Sequence, residues 1–357
     1  MTDGAEQITL KKGVGLVDIV SIGLGTAVGV SIFSIIAPTT LLAGPGMLVA
    51  MAVAMAPMFV FAVVYAFMGA AVPVSGASYE WARRFIHPFA GYIVSWLRIG
   101  SSTAAMVVLT MVLVSYLGMA VDLPLKPSML AIFTIVFVAN ILGVSVAAKG
   151  QTAMLFVLLA TCGVFVAICA PQAEPSNFTP LLSKGWEGVA AAVPLMISLF
   201  LGIESATEVG GEIKNPGKNI PLGIAISVVL TAVFYFAVAT SALGVLGEEK
   251  LGASTAPLLD AAVAAGGGIG KPLIIASAFV AIGSSINATF MIFTRFVYAM
   301  GKSGALPAVF GRVHSRFQTP HIACCLAYGL CCLGLLLPSN LVFLFLAVNI
   351  PTLLKYG

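Results

Sequence analysis

The sequence predicts an all-α integral membrane protein of about ten transmembrane helices, and three observations carry that expectation. Of its 357 residues 60% are hydrophobic and only 8% are charged, against roughly 25% charged in a soluble domain. A chain this apolar cannot cover a water-facing surface, so its outside must face lipid. Apolar stretches of the length a bilayer demands, about 20 residues, follow one another along the whole chain. The basic residues alternate in abundance from one connecting loop to the next, as the positive-inside rule requires.

Apolar length, with Gly, Pro and charge as punctuation, places spans at 16–43, 46–71, 88–118, 127–147, 150–171, 188–211, 222–246, 271–299, 320–337 and 340–356. The long third and eighth spans are expected to tilt. With a cytoplasmic N-terminus, the inner loops hold ten basic residues, namely Lys11, Lys12, Arg83, Arg84, Lys149, Lys214, Lys218, Lys302, Arg312 and Arg316. The outer loops hold four, Lys126, Lys184, Lys250 and Lys271. The net charge of +4 is thus a membrane asymmetry and no signal for nucleic acid. Met1 to Lys12 is polar and does not read as a signal peptide. Two connections exceed simple turns: the outer Gly247 to Gly270, expected to form short capping helices, and the inner, basic Lys302 to Pro320, expected along the headgroups. The whole chain, 1–357, reads as one transmembrane domain of two repeats, about 16–171 and 188–356.

The first span holds Gly23, Gly25 and Gly29 with Thr26 and Ser31 in mid-helix. Glycine disfavours helix by roughly 1 kcal/mol relative to Ala. Two readings stand side by side. Gly25 and Gly29, four apart, let a neighbouring helix approach; or the helix unwinds near 27–31 and offers peptide groups of Ala27, Val28, Gly29, Val30 and Ser31 to a ligand. The sixth span, from Pro194 to Glu208, again has a mid-span glycine, Gly202, now followed by Glu204. A carboxylate at membrane depth costs about 2.5–3.5 kcal/mol on translocon scales. Glu204 therefore reads as functional, whereas Glu208 and Glu212 read as side chains reaching the inner interface. Spans one and six each open a five-helix half, and interrupted helices at matching places point to an inverted-repeat transporter site. Half-helix N-termini would take a substrate carboxylate, and unwound carbonyls, with Glu204, its ammonium.

Four stretches resemble the amino acid–polyamine–organocation superfamily of permeases, whose fold is the LeuT-type five-plus-five inverted repeat. Gly25-Thr26-Ala27-Val28-Gly29-Val30-Ser31-Ile32-Phe33 looks like the family's G-x-x-I-G-x-G-I-F. Pro73-Val74-Ser75-Gly76-Ala77-Ser78-Tyr79 is similar to its P-x-S-G-G-x-Y. Gly202-Ile203-Glu204-Ser205-Ala206 and Glu212 to Pro221 resemble G-[FV]-E-S-A … E-x-K-N-P-x-[KR]-N-I-P. Arg295-Phe296-Val297-Tyr298-Ala299-Met300 … Gly304-Ala305-Leu306-Pro307 looks like R-x-x-Y-A-M … G-x-L-P. The resemblance implies substrate contacts from Gly29, Val30, Ser31, Phe200, Leu201, Gly202 and Ile203, and a gating or proton-handling role for Glu204. Lys214 to Pro221 matches a cytoplasmic connector, read here as an Asn-Pro-Gly turn.

Three departures narrow what is carried over. Ser31 replaces a second glycine, and its hydroxyl can donate to a carboxylate. Ser198 stands where arginine-type exchangers carry a cation-stacking Trp, which weakens the case for a guanidinium substrate. Leu158 stands where proton-coupled members carry a Lys. On the eighth span Ser284 and Ser285 are a possible ion site by resemblance to LeuT-type sodium sites; the plainer reading of Ser284, Ser285 and Asn287 is hydroxyl-to-backbone bonding. The family's usual twelve helices imply that a chain stopping at Lys355-Tyr356-Gly357 lacks the last two.

Other signals are set aside. Gly23-x-Gly25-x-x-x-Gly29 has the wrong spacing for a dinucleotide loop. The six cysteines lie in apolar runs with no His or carboxylate beside them and read as helix fillers, so neither a metal nor a catalytic cluster is expected. Arg98 either lines the inner pathway or snorkels, and Arg295 reads as an anchor at the inner end of its helix.

The sequence thus points to a multi-pass plasma-membrane protein, N-terminus cytoplasmic, that carries amino acids or related amines by alternating access. It is expected to work without cofactor and without nucleic acid, as a proton or sodium symporter or as an exchanger. An amino-acid-binding sensor or an inactive shortened homologue is the alternative. The substrate, the coupling ion and the oligomeric state are left open.

Overall fold

A computed structural model describes residues 10–29, 31–336 and 347–348. The described residues are helical apart from turns and two isolated bridges, Val14 with Ile213 and Ser75 with Val209. The helices are α1 Leu16–Ala27, α2 Ser31–Ala43, α3 Met47–Ala71, α4 Ala77–Trp81, α5 Pro88–Gly118 and α6 Leu125–Ile141. They continue with α7 Val144–Cys169, α8 Gly185–Ile197, α9 Pro216–Ala253, α10 Pro257–Gly266, α11 Gly270–Ser303 and α12 His321–Gly334. Each of the first nine predicted spans has its counterpart here; the tenth, 340–356, lies outside the described residues except for 347–348.

Length and apolarity suffice for membrane crossing in six runs: Ser31–Ala71, Pro88–Gly118, Val144–Gln172, Gly185–Glu208, Pro216–Ala253 and Pro257–Ser303. Three shorter helices are equally apolar, and α1 is the shortest at 12 residues. Twelve residues rise only about 18 Å, well short of a bilayer core of about 30 Å, so α1 crosses only together with α2.

The outer helices are apolar on both sides. On α3, Met47, Ala50, Met51, Ala54 and Met58 face the core, while Phe59, Val63 and Phe67 stand more than half exposed on the other side. Such a face is stable in lipid and costly in water. At the centre runs α11, buried almost without interruption from Val280 to Gly301 except at Gly283 and Thr289. It packs against α1, α5, α7, α10 and α12, several of which position the site.

The connections refine the sequence reading. The outer segment folds as α10, as expected, after α9 kinks at Gly247 (φ 70°, ψ 173°). The inner segment forms a 3-10 turn at Ala308–Gly311 that packs back on α11. Asn215 adopts a left-handed conformation (φ 46°, ψ 57°) and Pro216 is already the first helical residue. The Asn-Pro-Gly turn is therefore confined to Asn215, because proline's fixed φ and missing N–H suit a first helical position. Lys149 lies inside α7 and not in a loop, since Gly143 (φ 138°) ends the connection earlier than apolar length alone suggested.

Candidate functional site

The first interruption falls where the glycines predict it. α1 stops at Ala27, the N–H of Val28 still bonds Leu24 O, and α2 starts at Ser31. Val30 lies outside the described residues. The break and the close approach of neighbouring helices occur together. A Cβ on Gly25 would sit 2.1 Å from Gln151 Nε2 and 2.2 Å from Ser284 Oγ, so α1 lies directly on α7 and α11. A Cβ on Gly29 would meet Ser285 Oγ at 2.6 Å. The Ser285 hydroxyl donates to Gly25 O, and Gln151 Nε2 donates to Ser284 Oγ at 2.7 Å and Ser21 O at 3.1 Å. Ser285 thus bonds across to α1 and not along its own helix.

The second interruption is longer. α8 ends at Ile197, a 3-10 turn covers Ser198–Phe200, and Leu201 is extended (φ −66°, ψ 131°). Gly202 then takes φ 101°, a region that side chains disfavour. The chain continues in 3-10 turns, Ile203–Glu208 and Gly210–Glu212, and no α-helix resumes before Pro216. The two interruptions touch: a Cβ on Gly202 would lie 2.7 Å from Thr26 Cγ2, and one on Gly23 would lie 2.8 Å from Ile203 O.

Three carboxylates fix the second interruption. Glu204 is buried and accepts from Gly202 N–H at 3.1 Å. Glu208 accepts from Ser78 N–H at 3.1 Å and from the Ser78 hydroxyl, tying the segment to the start of α4. Glu212 takes Arg295 in a two-pronged pair at 2.7 and 2.8 Å. The sequence reading of Glu208 and Glu212 as interface-seeking side chains is corrected, since both are 0% exposed. So is the placing of Arg295, which anchors from inside the protein. The physical reason is the same each time: charge-assisted partners replace water, so no headgroup is needed.

One residue that sequence reasoning missed joins the two interruptions. Tyr235 of α9 is fully buried, and its hydroxyl lies 2.7 Å from Ala27 O and 2.9 Å from Leu199 O. It has one proton for these two acceptors. Its ring meets Phe200 edge-on, centroids 5.6 Å apart. In sequence it is one more aromatic in an apolar span; only the general rule that a buried Tyr hydroxyl needs a partner hinted at a role.

Between the interruptions and the helices facing them lies a cavity of about 350 Å³, within the usual range for small-ligand sites. Gly29, Ser31 and Ser34 line it from the first interruption, and Ser198, Leu201 and Gly202 from the second. α5 contributes Arg98, Ser101 and Ser102, and α11 contributes Ser285 and Thr289. Of the other sequence-predicted residues, Ala27, Val28, Phe200, Ile203, Glu204 and Ser284 stand behind this wall. Arg98, for which two placements were open, lines the cavity, its guanidinium carbon 6.0 Å from the Phe296 ring centroid. The wall is rich in hydroxyls and small side chains, with apolar patches from Ile35, Val108 and Leu109. It can hydrogen-bond both ends of a small zwitterion while burying an apolar part.

The carbonyls at the interruptions are engaged with protein groups, Gly25 O with Ser285 and Ala27 O and Leu199 O with Tyr235. Among the described residues no three His, Cys, Asp or Glu side chains gather as a metal site. The six cysteines are free thiols on α7 and α12.

Comparison with known proteins agrees with this architecture. The profile of a family described as amino acid permease matches residues 14–356. An uncharacterized transporter of Mycobacterium tuberculosis is 29% identical over 311 residues, covering 87% of this chain and 70% of that protein. The branched-chain amino acid permease BcaP of Bacillus subtilis is 24% identical over 337 residues, covering 88% and 72%. A methylthioribose transporter of the same organism is 24% identical over 338 residues, covering 87% and 72%. The chain belongs to the amino acid permease family: it is an all-α, multi-pass membrane protein of the amino acid–polyamine–organocation superfamily, a transporter and not an enzyme.

Proposed function

We propose that the protein is a secondary transporter of amino acids or closely related amines that works by alternating access around the cavity between its two interrupted helices. One observation carries this reading: Gly29 and Ser31 on one side and Leu201 and Gly202 on the other line the same cavity, although about 170 residues separate them. The first turn of α2 brings the positive dipole end of that helix to the cavity wall, a place for a substrate carboxylate, with the Ser31 hydroxyl beside it. Serine and threonine oxygens of α5 and α11 offer acceptors for an ammonium group. The branched-chain permease among the relatives supports an amino acid substrate, and the methylthioribose transporter marks how far substrates diverge in such relatives.

In this reading the N-terminus is cytoplasmic, as the ten-to-four distribution of basic residues favours, and the protein resides in the plasma membrane. Coupling is to protons or sodium, or the protein exchanges substrates. The Ser285–Gly25 contact makes the α1–α11 seam the place to look for a cation, and Glu204 at the second interruption the place to look for a proton.

The test is uptake of labelled amino acids by purified protein in proteoliposomes under an imposed pH gradient, an imposed sodium gradient, or neither with substrate preloaded inside. Flux in any arm is the expected result, and the arm identifies the coupling. Ligand-induced thermal stabilisation without flux in any arm would replace transport by sensing, and absence of both would mean an inactive chain.

A further inference from the structure

Arg98 gives the cavity a charge that no described carboxylate lining it balances. It sits ten residues into α5, about 15 Å along the helix from its start, and lines the cavity together with Ser101 and Ser102. Among the described residues its guanidinium has no carboxylate partner, and its Nε is buried without a hydrogen bond. The fully buried arginine on the facing helix, Arg295, shows what this protein does with such a group when its role is structural, since Glu212 grips it with both oxygens. No described residue lining the cavity is Asp or Glu. The nearest carboxylate along the second interruption, Glu204, is turned to Gly202 N–H behind the wall.

We propose that the cavity selects an amino acid with an anionic side chain, whose second carboxylate docks on Arg98 while the backbone zwitterion occupies the helix interruptions. This rests on the transporter reading above and names its substrate class. A guanidinium whose carbon stands over the Phe296 ring at 6.0 Å keeps its N–H edge for a ligand, and that edge matches a carboxylate with two parallel hydrogen bonds. A dicarboxylic amino acid also cancels the charge of the site, whereas a neutral one leaves an unpaired cation in low dielectric and a cationic one adds repulsion. The hydroxyl of Ser102 lines the same wall and gives the second carboxylate a further donor, while that of Ser101 donates to Arg98 O.

The experiment compares glutamate and aspartate with their amides, glutamine and asparagine, and with lysine. Two readouts on purified protein serve: counterflow in preloaded proteoliposomes and ligand-induced thermal stabilisation. The wild type is expected to favour each acid over its amide by about tenfold or more, a typical discrimination for a charge-assisted pair, and to ignore lysine. Arg98→Gln should lower that acid-to-amide ratio by about tenfold, and Arg98→Lys should keep part of it. If Arg98→Gln does not survive purification, the wild-type ratio and Arg98→Lys decide alone. A wild type that moves or binds amides as well as acids, or a ratio unchanged in the variants, overturns the assignment and leaves the transporter reading standing. If no amino acid of any charge moves or stabilises the protein, the transporter reading falls and the assignment with it.

Discussion

The two interruptions are alike in position and different in construction. The first is made by absence of side chains: Gly23, Gly25 and Gly29 let α1 lie against Ile203 O, Gln151, Ser284 and Ser285, and α-helix resumes at Ser31. The second is made by buried charge: Glu204, Glu208 and Glu212 hold a chain of 3-10 turns in place of a resumed helix. The contrast teaches that two helices can break beside the same cavity by different means. Close contact fixes one side of the cavity rigidly against α11. The other side is held by polar tethers, to α4 through Ser78 and to α11 through Arg295.

The contrast can be broken most forcefully at Arg295. Removing it strands the Glu212 carboxylate, so Arg295→Ala should cost about 3–5 kcal/mol, read as a large drop in thermal stability in detergent. An unchanged melting temperature would mean that charge does not hold the second interruption. At the first interruption, Gly25→Ala should cost about 1–3 kcal/mol through overpacking, because its Cβ would overlap Gln151 Nε2 and Ser284 Oγ. Pairing it with Gln151→Ala should recover part of the loss, and strict additivity of the two would show that the crowding lies elsewhere. Tyr235→Phe, which frees two carbonyls at once, should cost about 1 kcal/mol and weaken ligand binding, measured by calorimetry on the purified protein. Wild-type affinity there would separate the two interruptions mechanically. Smallest in stability is Glu204→Gln, less than about 1 kcal/mol because the amide oxygen still accepts from Gly202 N–H, with impaired transport but normal membrane insertion. Wild-type flux in that variant would remove Glu204 from the mechanism.

Much of the fold was legible because membrane helices announce themselves through length and punctuation. Pro88 and Gly118 bound α5 where apolar length placed the third span, and Gly29 and Gly202 marked both interruptions. What stayed hidden depends on partners far away in sequence. Glu208 and Glu212 look like interfacial residues until Ser78, 130 residues earlier, and Arg295, 83 residues later, are brought to them. The 3-10 path after Gly202 follows from those tethers, and nothing in Ile203-Glu204-Ser205-Ala206-Thr207 itself forbids an α-helix. Arg98 was visible as an oddity in an apolar span, but only the packing of α5 against α11 decides between lipid and cavity.

Tyr235 has an implication for how the cavity reports its own state. Its lone hydroxyl hydrogen stands between Ala27 O and Leu199 O, so it works as a caliper with one jaw on each helix end. Any parting of those ends, even by a fraction of an ångström, forces the hydrogen to settle on one side, and the deserted oxygen regains its full appetite for a donor.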